Sequence, residues 1–264
     1  MTLQIRREGA VLVLANDNPA RRNALSGEFY AAATAALDDL ADNPEIGAVV
    51  LTGAGNFFCA GGDLNQLQSR RELAPTIRRE RLELLHNLIR RIRDLKKPVI
   101  AAVEGGAAGA GVSLALACDL VVAARNAHFS VSYIKVGLSP DGGATAFLAE
   151  FAGRQLLTEL CLTGEPICAE RLHALGTVNR LVDTGHAEAE AITLATRLAE
   201  GPARSAARIK ALCRQAHTTP LDAQLENEAE AMVESLGDVE SAEGIDAFLS
   251  KRTPNFTSLR HRGD

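Results

Sequence analysis

Three short apolar runs constrain this chain more than any other feature. GAVVLTG (Gly47 to Gly53), VIAAV (Val99 to Val103) and DLVVAA (Asp119 to Ala124) contain no alternation of polar and apolar residues. Strands of that kind are covered on both faces, as in a parallel sheet. A fourth run, VLVLAND (Val11 to Asp17), ends in polar turn residues. Helical stretches lie between the runs, and that rhythm predicts right-handed βαβ units. Ser26 is placed to cap a helix reaching about Ala41. A longer helix is predicted over about Ala74 to Leu95, with Lys97-Pro98 leading into the next strand.

From about Asp141 onward the pattern turns helical, broken only by TVNRLV (Thr177 to Val182), and several amphipathic helices fill Ala187 to Ser250. The expected architecture is an α/β core over residues 1–195 and a helical region over 196–264 that packs on the core or on a neighbouring subunit. With no Trp and 4% aromatic residues, the core must be built from Ala, Val, Leu and Ile, and base stacking has little to work with. A net charge of −5 argues against a nucleic-acid partner. The basic residues between Arg78 and Lys97 alternate with Leu and Ile at helical spacing, as on a solvated helix face. Cys59, Cys118, Cys161, Cys168 and Cys213 form no CxxC pair and sit among small apolar residues, which predicts reduced thiols in a cytoplasmic protein. The first residues lack an apolar signal core, and no window reaches membrane-spanning length.

Two glycine-rich turns each follow a buried run. GAGNFFCAGGDL (Gly53 to Leu64) ends in Asp63, a candidate N-cap. EGGAAGAGVSLALACDL (Glu104 to Leu120) opens a helix near Gly109. Small residues let a ligand approach the backbone, and helix N-termini leave amides free. Facing one point, two such turns would make an oxyanion hole; the competing reading is tight strand-to-helix packing. Neither turn matches a dinucleotide or nucleoside-triphosphate loop, and the six histidines show no metal-ligand spacing. Gly111-Val112-Ser113 comes close to a hydrolase nucleophile elbow, but Ser113 falls inside the helix rather than at a strand end.

RRNALS (Arg21 to Ser26), FFCAGGDL (Phe57 to Leu64), KPVIAAVEGGAAGAGVSLALACDLVVA (Lys97 to Ala123) and VGLSPDGGAT (Val136 to Thr145) together resemble the crotonase (enoyl-CoA hydratase/isomerase) superfamily in order and spacing. LTGEPICAERLHALGTVNRLV and GIDAFLSKRTPNF extend the likeness almost end to end. The segment at Ser139 to Gly143 most resembles the isomerase branch, including the ring-epoxide isomerase of phenylacetate breakdown. The resemblance implies a stacked ββα superhelix with a C-terminal helical trimerisation region, assembled as a trimer or dimer of trimers. It implies an acyl-CoA thioester as substrate, with no metal and no separate cofactor. By motif position the oxyanion donors fall on the backbone N–H groups of Gly62 and Ala110. Asn23, Ala24 and Leu25, with Ala60, Asp63 and Leu64, match CoA-lining positions, and Lys251 matches a residue reaching CoA phosphate.

The hydratases of that superfamily use two glutamates, and here those positions hold Ser113 and Tyr133. Neither is a carboxylate base at neutral pH. Asp141 matches the acid/base position of the isomerase branch. One carboxylate suffices for a 1,3-proton shift, since it can return the proton it removed. Asp141 could instead only cap a helix starting at Gly142. Ser113 and Tyr133 are then candidates for lining the acyl pocket. The expected activity is double-bond isomerisation of an enoyl-CoA; hydration without the usual glutamates and silent CoA-ester binding are the alternatives.

Overall fold

The computed structural model describes residues 3–260. Its strands are β1 (Leu3–Glu8), β2 (Val11–Asn16), β3 (Ala48–Gly53), β4 (Val99–Val103), β5 (Gly106–Ala108), β6 (Leu120–Ala124), β7 (His128–Ser130), β8 (Ile167–Cys168) and β9 (Arg180–Val182). Its α-helices are α1 (Gly27–Leu40), α2 (Leu64–Arg70), α3 (Pro75–Asp94), α4 (Ala110–Leu116), α5 (Ala144–Ala149), α6 (Arg154–Thr163), α7 (Ala169–Ala174), α8 (Ala187–Ala199), α9 (Ala203–Gln215), α10 (Leu221–Leu236) and α11 (Val239–Leu249). None is long and apolar enough to cross a membrane.

The main sheet runs β1-β2-β3-β4-β6-β9, parallel from β2 to β9 with β1 antiparallel at the edge. Every residue of β3 and β4 is buried, as continuous apolar runs require. A small second sheet, β5-β7-β8, stands beside it. The chain passes from β4 to β5 and α4, then from β6 to β7. This repeated step from long strand to short strand to helix is the stacked ββα arrangement.

One core layer joins the sheet to α1, α3 and α4 through side chains such as Phe29, Leu88 and Leu114. The opposite face is covered by α8, which presents Ala187, Ala191 and Ala195 at four-residue spacing. Such small side chains let the helix lie close: a β-carbon on Gly47 would stand 2.8 Å from that of Ala199.

Helices α9 and α11 are tied together through charge. Glu240 accepts from the amides of Arg204 and Ser205 at the start of α9, and Asp238 pairs with Arg208 at 3.0 Å. Lys210 ties α9 to the core, donating to the carbonyls of Ile92 and Lys97 and pairing with Asp119 at 2.8 Å. On the outside, α10 and α11 leave Leu221, Val233, Leu236, Phe248 and Leu249 exposed.

The expected strands and helices recur within about three residues, the widest gap being TVNRLV, of which only Arg180–Val182 is strand, and Ser26 accepts the Phe29 amide as its N-cap. Two expectations need correction. The region after Asp141 is not broken by TVNRLV alone, because Ile167–Cys168 forms β8 against β7. The helix after Asp141 starts at Ala144, with Gly143 at φ +85° as its N-cap position, so the Asp141 carboxylate does not cap it.

Candidate active site

The first turn and the β5 turn are stitched together backbone to backbone. Cys59 forms an isolated parallel bridge with Ala107, and its carbonyl accepts the Ala108 amide at 2.9 Å. No side chain fits between the turns. A β-carbon on Gly61 would lie 2.6 Å from the Ala108 oxygen and 3.2 Å from the Ala110 nitrogen, and one on Gly111 would lie 2.4 Å from the Cys59 oxygen. The two turns are therefore tightly packed against each other, and that packing does not exclude a site formed by their backbone amides. Gly62 and Ala110 both line a cavity of about 630 Å³, and neither backbone N–H has an acceptor among the described residues. Ala110 is the first residue of α4, where an amide is left free by helix geometry.

The thiol packed under this junction is inert by environment. Burial pushes Cys59 up to about 12, with the Gly61 N–H only partly opposing it. Native protein treated with iodoacetamide at pH 8 should leave Cys59 unmodified, while unfolded protein labels there readily, as mass mapping would read out.

Asp141 lines the same cavity. The Tyr133 hydroxyl donates to its Oδ1 at 2.7 Å, and the Ser113 hydroxyl donates to its carbonyl at 2.9 Å. Burial raises the Tyr133 hydroxyl far above its ordinary value, and the neighbouring Asp141 charge adds to the rise, so the phenol remains a neutral donor. Ser113 is fully buried in α4 with its hydroxyl held by a carbonyl, not by an imidazole, which removes the nucleophile-elbow reading. Asp141 is the single carboxylate among the residues lining the cavity. Two other acids singled out by the second turn are structural: Glu104 accepts the Ala187 amide at the start of α8, and Asp119 accepts the Val99 amide.

The remaining expected residues divide. Ala60 and Leu64 line the cavity. Asn23 is fully buried at φ +55°, its side chain donating to the carbonyls of Ala54 and Phe57 and accepting the Asn18 amide. It braces the first turn from behind. Leu25 does the same with its backbone, donating to Gly61 O at 2.7 Å and accepting from Asp63 N, and Ala24 is buried beside it. Asp63 caps α2 through the Asn65 amide and pairs with Arg21. Burial acts to raise its carboxyl, but these partners outweigh it and hold it below the usual range. Lys251 is exposed and lies outside the cavity lining of its own chain.

Several lining residues carry no motif: Tyr30 from α1, Arg70 from α2, and Arg81, Leu82, Leu85 and His86 from α3. The one sequence signal was the four-residue spacing of Arg81 with Leu85 and of Leu82 with His86.

With this geometry in place the chain can be set beside known proteins. The family model described as Enoyl-CoA hydratase/isomerase matches residues 6–259. The chain belongs to that family. It is 39% identical to the 1,2-epoxyphenylacetyl-CoA isomerase of Escherichia coli, over 95% of this chain and 96% of that protein. It is also 35% identical to the 2,3-dehydroadipyl-CoA hydratase of the same organism, over 96% and 98% of the two chains. The crystal structure of an enoyl-CoA hydratase from a Polaromonas species superposes with a TM-score of 0.94 at 49% identity, covering 96% of this chain and 98% of that one. Among its relatives the enoyl-CoA hydratase/isomerase family therefore offers both chemistries.

Proposed function

We propose that this protein is an enoyl-CoA double-bond isomerase of the cytoplasm, with Asp141 as its acid/base and the N–H groups of Gly62 and Ala110 as its oxyanion hole. The observation that carries the reading is one cavity lined both by a single carboxylate, hydrogen-bonded by Tyr133, and by two amides that have no acceptor among the described residues. The Asp141 carboxylate removes a proton from the α-carbon of a 3-enoyl thioester. The C–H electron pair moves into the thioester, whose oxygen becomes an enolate held by the two N–H donors. The same carboxyl group then returns its proton to the γ-carbon, and the double bond ends between the α- and β-carbons. A preorganised donor of this kind contributes about 3–4 kcal/mol to such a step.

Water addition is the competing reading, favoured by the hydratase names of several relatives. NMR of a 3-enoyl-CoA and a 2-enoyl-CoA incubated with the protein in heavy water separates the two. Migration of the double bond with deuterium at the α- or γ-carbon supports isomerisation. Clean formation of a 3-hydroxyacyl-CoA overturns it. Binding with neither change nor exchange favours a silent CoA-ester-binding protein.

The reading includes assembly through residues 196–264. Large apolar side chains on α10 and α11 stand in water in the single chain, Val233 at 71% and Phe248 at 83% exposure, which supports a covering partner. A trimer or dimer of trimers covers them and brings Lys251 toward a neighbour's CoA phosphates. Light scattering on the eluted protein should give three or six times 28.0 kDa. Val233→Asp with Phe248→Asp should shift it toward monomer; a monomeric parent protein would refute the assembly.

A further inference from the structure

Asp141 stands on a stretch without regular structure, between the short 3₁₀ helix Ser132–Val136 and α5. No helix or strand sets the direction of its side chain. Two hydroxyls hold it instead. The Tyr133 hydroxyl donates to Oδ1 at 2.7 Å and comes within 3.4 Å of the Asp141 carbonyl oxygen. The Ser113 hydroxyl donates to that same carbonyl oxygen at 2.9 Å. The Ala144 amide, at 3.3 Å, is the one further donor to this residue among the described residues. Oδ2 has no partner among them.

The two hydroxyls reach Asp141 from different sides. Tyr133 lines the cavity. Ser113 is 0% exposed, so its hydroxyl lies behind the segment, where no substrate atom can reach. The packing there is close: a β-carbon on Gly142 would stand 3.0 Å from Ser113 Cβ and 3.0 Å from Leu85 Cδ2. Ser113 also stands three residues after Ala110 on α4, the helix whose first amide faces the cavity. One turn of helix is a rigid rise of about 5.4 Å. The acid is thereby fastened to the element that supplies an oxyanion donor.

A 1,3-proton shift makes strict demands on such a group. Its carboxylate must meet the α-carbon and then the γ-carbon, yet the last torsion of an aspartate is broad and only weakly self-directed. Small misplacements of a reacting group are costly. We infer that Tyr133 and Ser113 are positioning residues for the proton shift, holding Asp141 at its Oδ1 and its carbonyl so that Oδ2 is the atom that takes the proton and gives it back. This rests on the isomerase reading of Asp141 and adds which oxygen carries the proton and what holds it in place. The phenol suits the part because it stays a neutral donor.

Kinetics on 3-hexenoyl-CoA, with calorimetry on hexanoyl-CoA, test the hold. Tyr133→Phe should lower kcat about 10–100-fold. Ser113→Ala should lower it about three- to tenfold. Affinity for hexanoyl-CoA should stay within about twofold of the parent protein in both variants, since neither change removes a group that binds the ester. Because Ser113 cannot touch the substrate, a loss of rate there passes through Asp141. An unchanged kcat in either variant overturns the two-point hold alone. A fall in affinity as large as the fall in rate also overturns it, because the hydroxyls would then be shaping the pocket. Full turnover by Asp141→Asn, or no double-bond migration by the unaltered protein, overturns the isomerase reading and this inference together.

Discussion

Asp141→Asn is expected to lower kcat for double-bond migration by about 10²–10⁴ while leaving CoA-ester affinity within about threefold. The change is nearly isosteric. Asn keeps an oxygen to accept the Tyr133 hydroxyl, and the backbone carbonyl still accepts from Ser113, so the segment has no reason to move. What disappears is the only carboxylate lining the cavity, the group assigned to take the carbon acid's proton. Parallel calorimetry and NMR of double-bond position give both quantities. Turnover within tenfold of the parent protein would remove Asp141 from the chemistry.

Gly61→Ala should be almost as damaging although it touches no reacting atom. Gly61 holds φ +86°, where an L side chain is strained by about 1–3 kcal/mol, and its new methyl group would stand 2.6 Å from a backbone oxygen. Backbone cannot swing aside as a side-chain tip can. The two turns must separate, and the Gly62 and Ala110 amides lose their common focus. Loss of one such donor lowers kcat by about 10²–10³. Gly62→Ala is the control: its β-carbon would meet only the Leu67 side chain, 3.3 Å away, and its amide stays in place. Kinetics and thermal melts of the pair should separate strongly, with Gly61→Ala much the worse in both. Equal behaviour would mean the junction does not hold the donors.

Much of this was legible in the chain itself, and the exceptions share a cause. The strands at Ala48–Gly53 and Val99–Val103 were visible because both faces are buried, so no polar residue interrupts them. The edge strand Leu3–Glu8 was not, because an edge strand in water carries charges such as Arg6, Arg7 and Glu8 that blur its alternation. Strands of two or three residues, as at Gly106–Ala108 and Ile167–Cys168, are too short to show any period. The site divided in the same way. Gly62, Ala110 and Asp141 sit in glycine-rich segments whose composition announces close backbone approach. Arg70, Arg81 and Tyr30 lie on helices where the same residues serve equally well as solvated surface or core, and only the packing of α1 and α3 tells the difference. Asn23 shows the reverse case: its motif was visible, but its amide holds the turn and does not face the cavity.

The contact between Ser113 and Gly142 bears on how such a site could change over generations. A longer acid at 113 would press on the Asp141 segment, since a methyl group on Gly142 would already stand 3.0 Å from the Ser113 β-carbon. Making room means displacing the segment that carries Asp141. A change at 113 is therefore coupled to the placement of Asp141, and a lineage moving between one-carboxylate and two-carboxylate chemistry has to adjust both segments together.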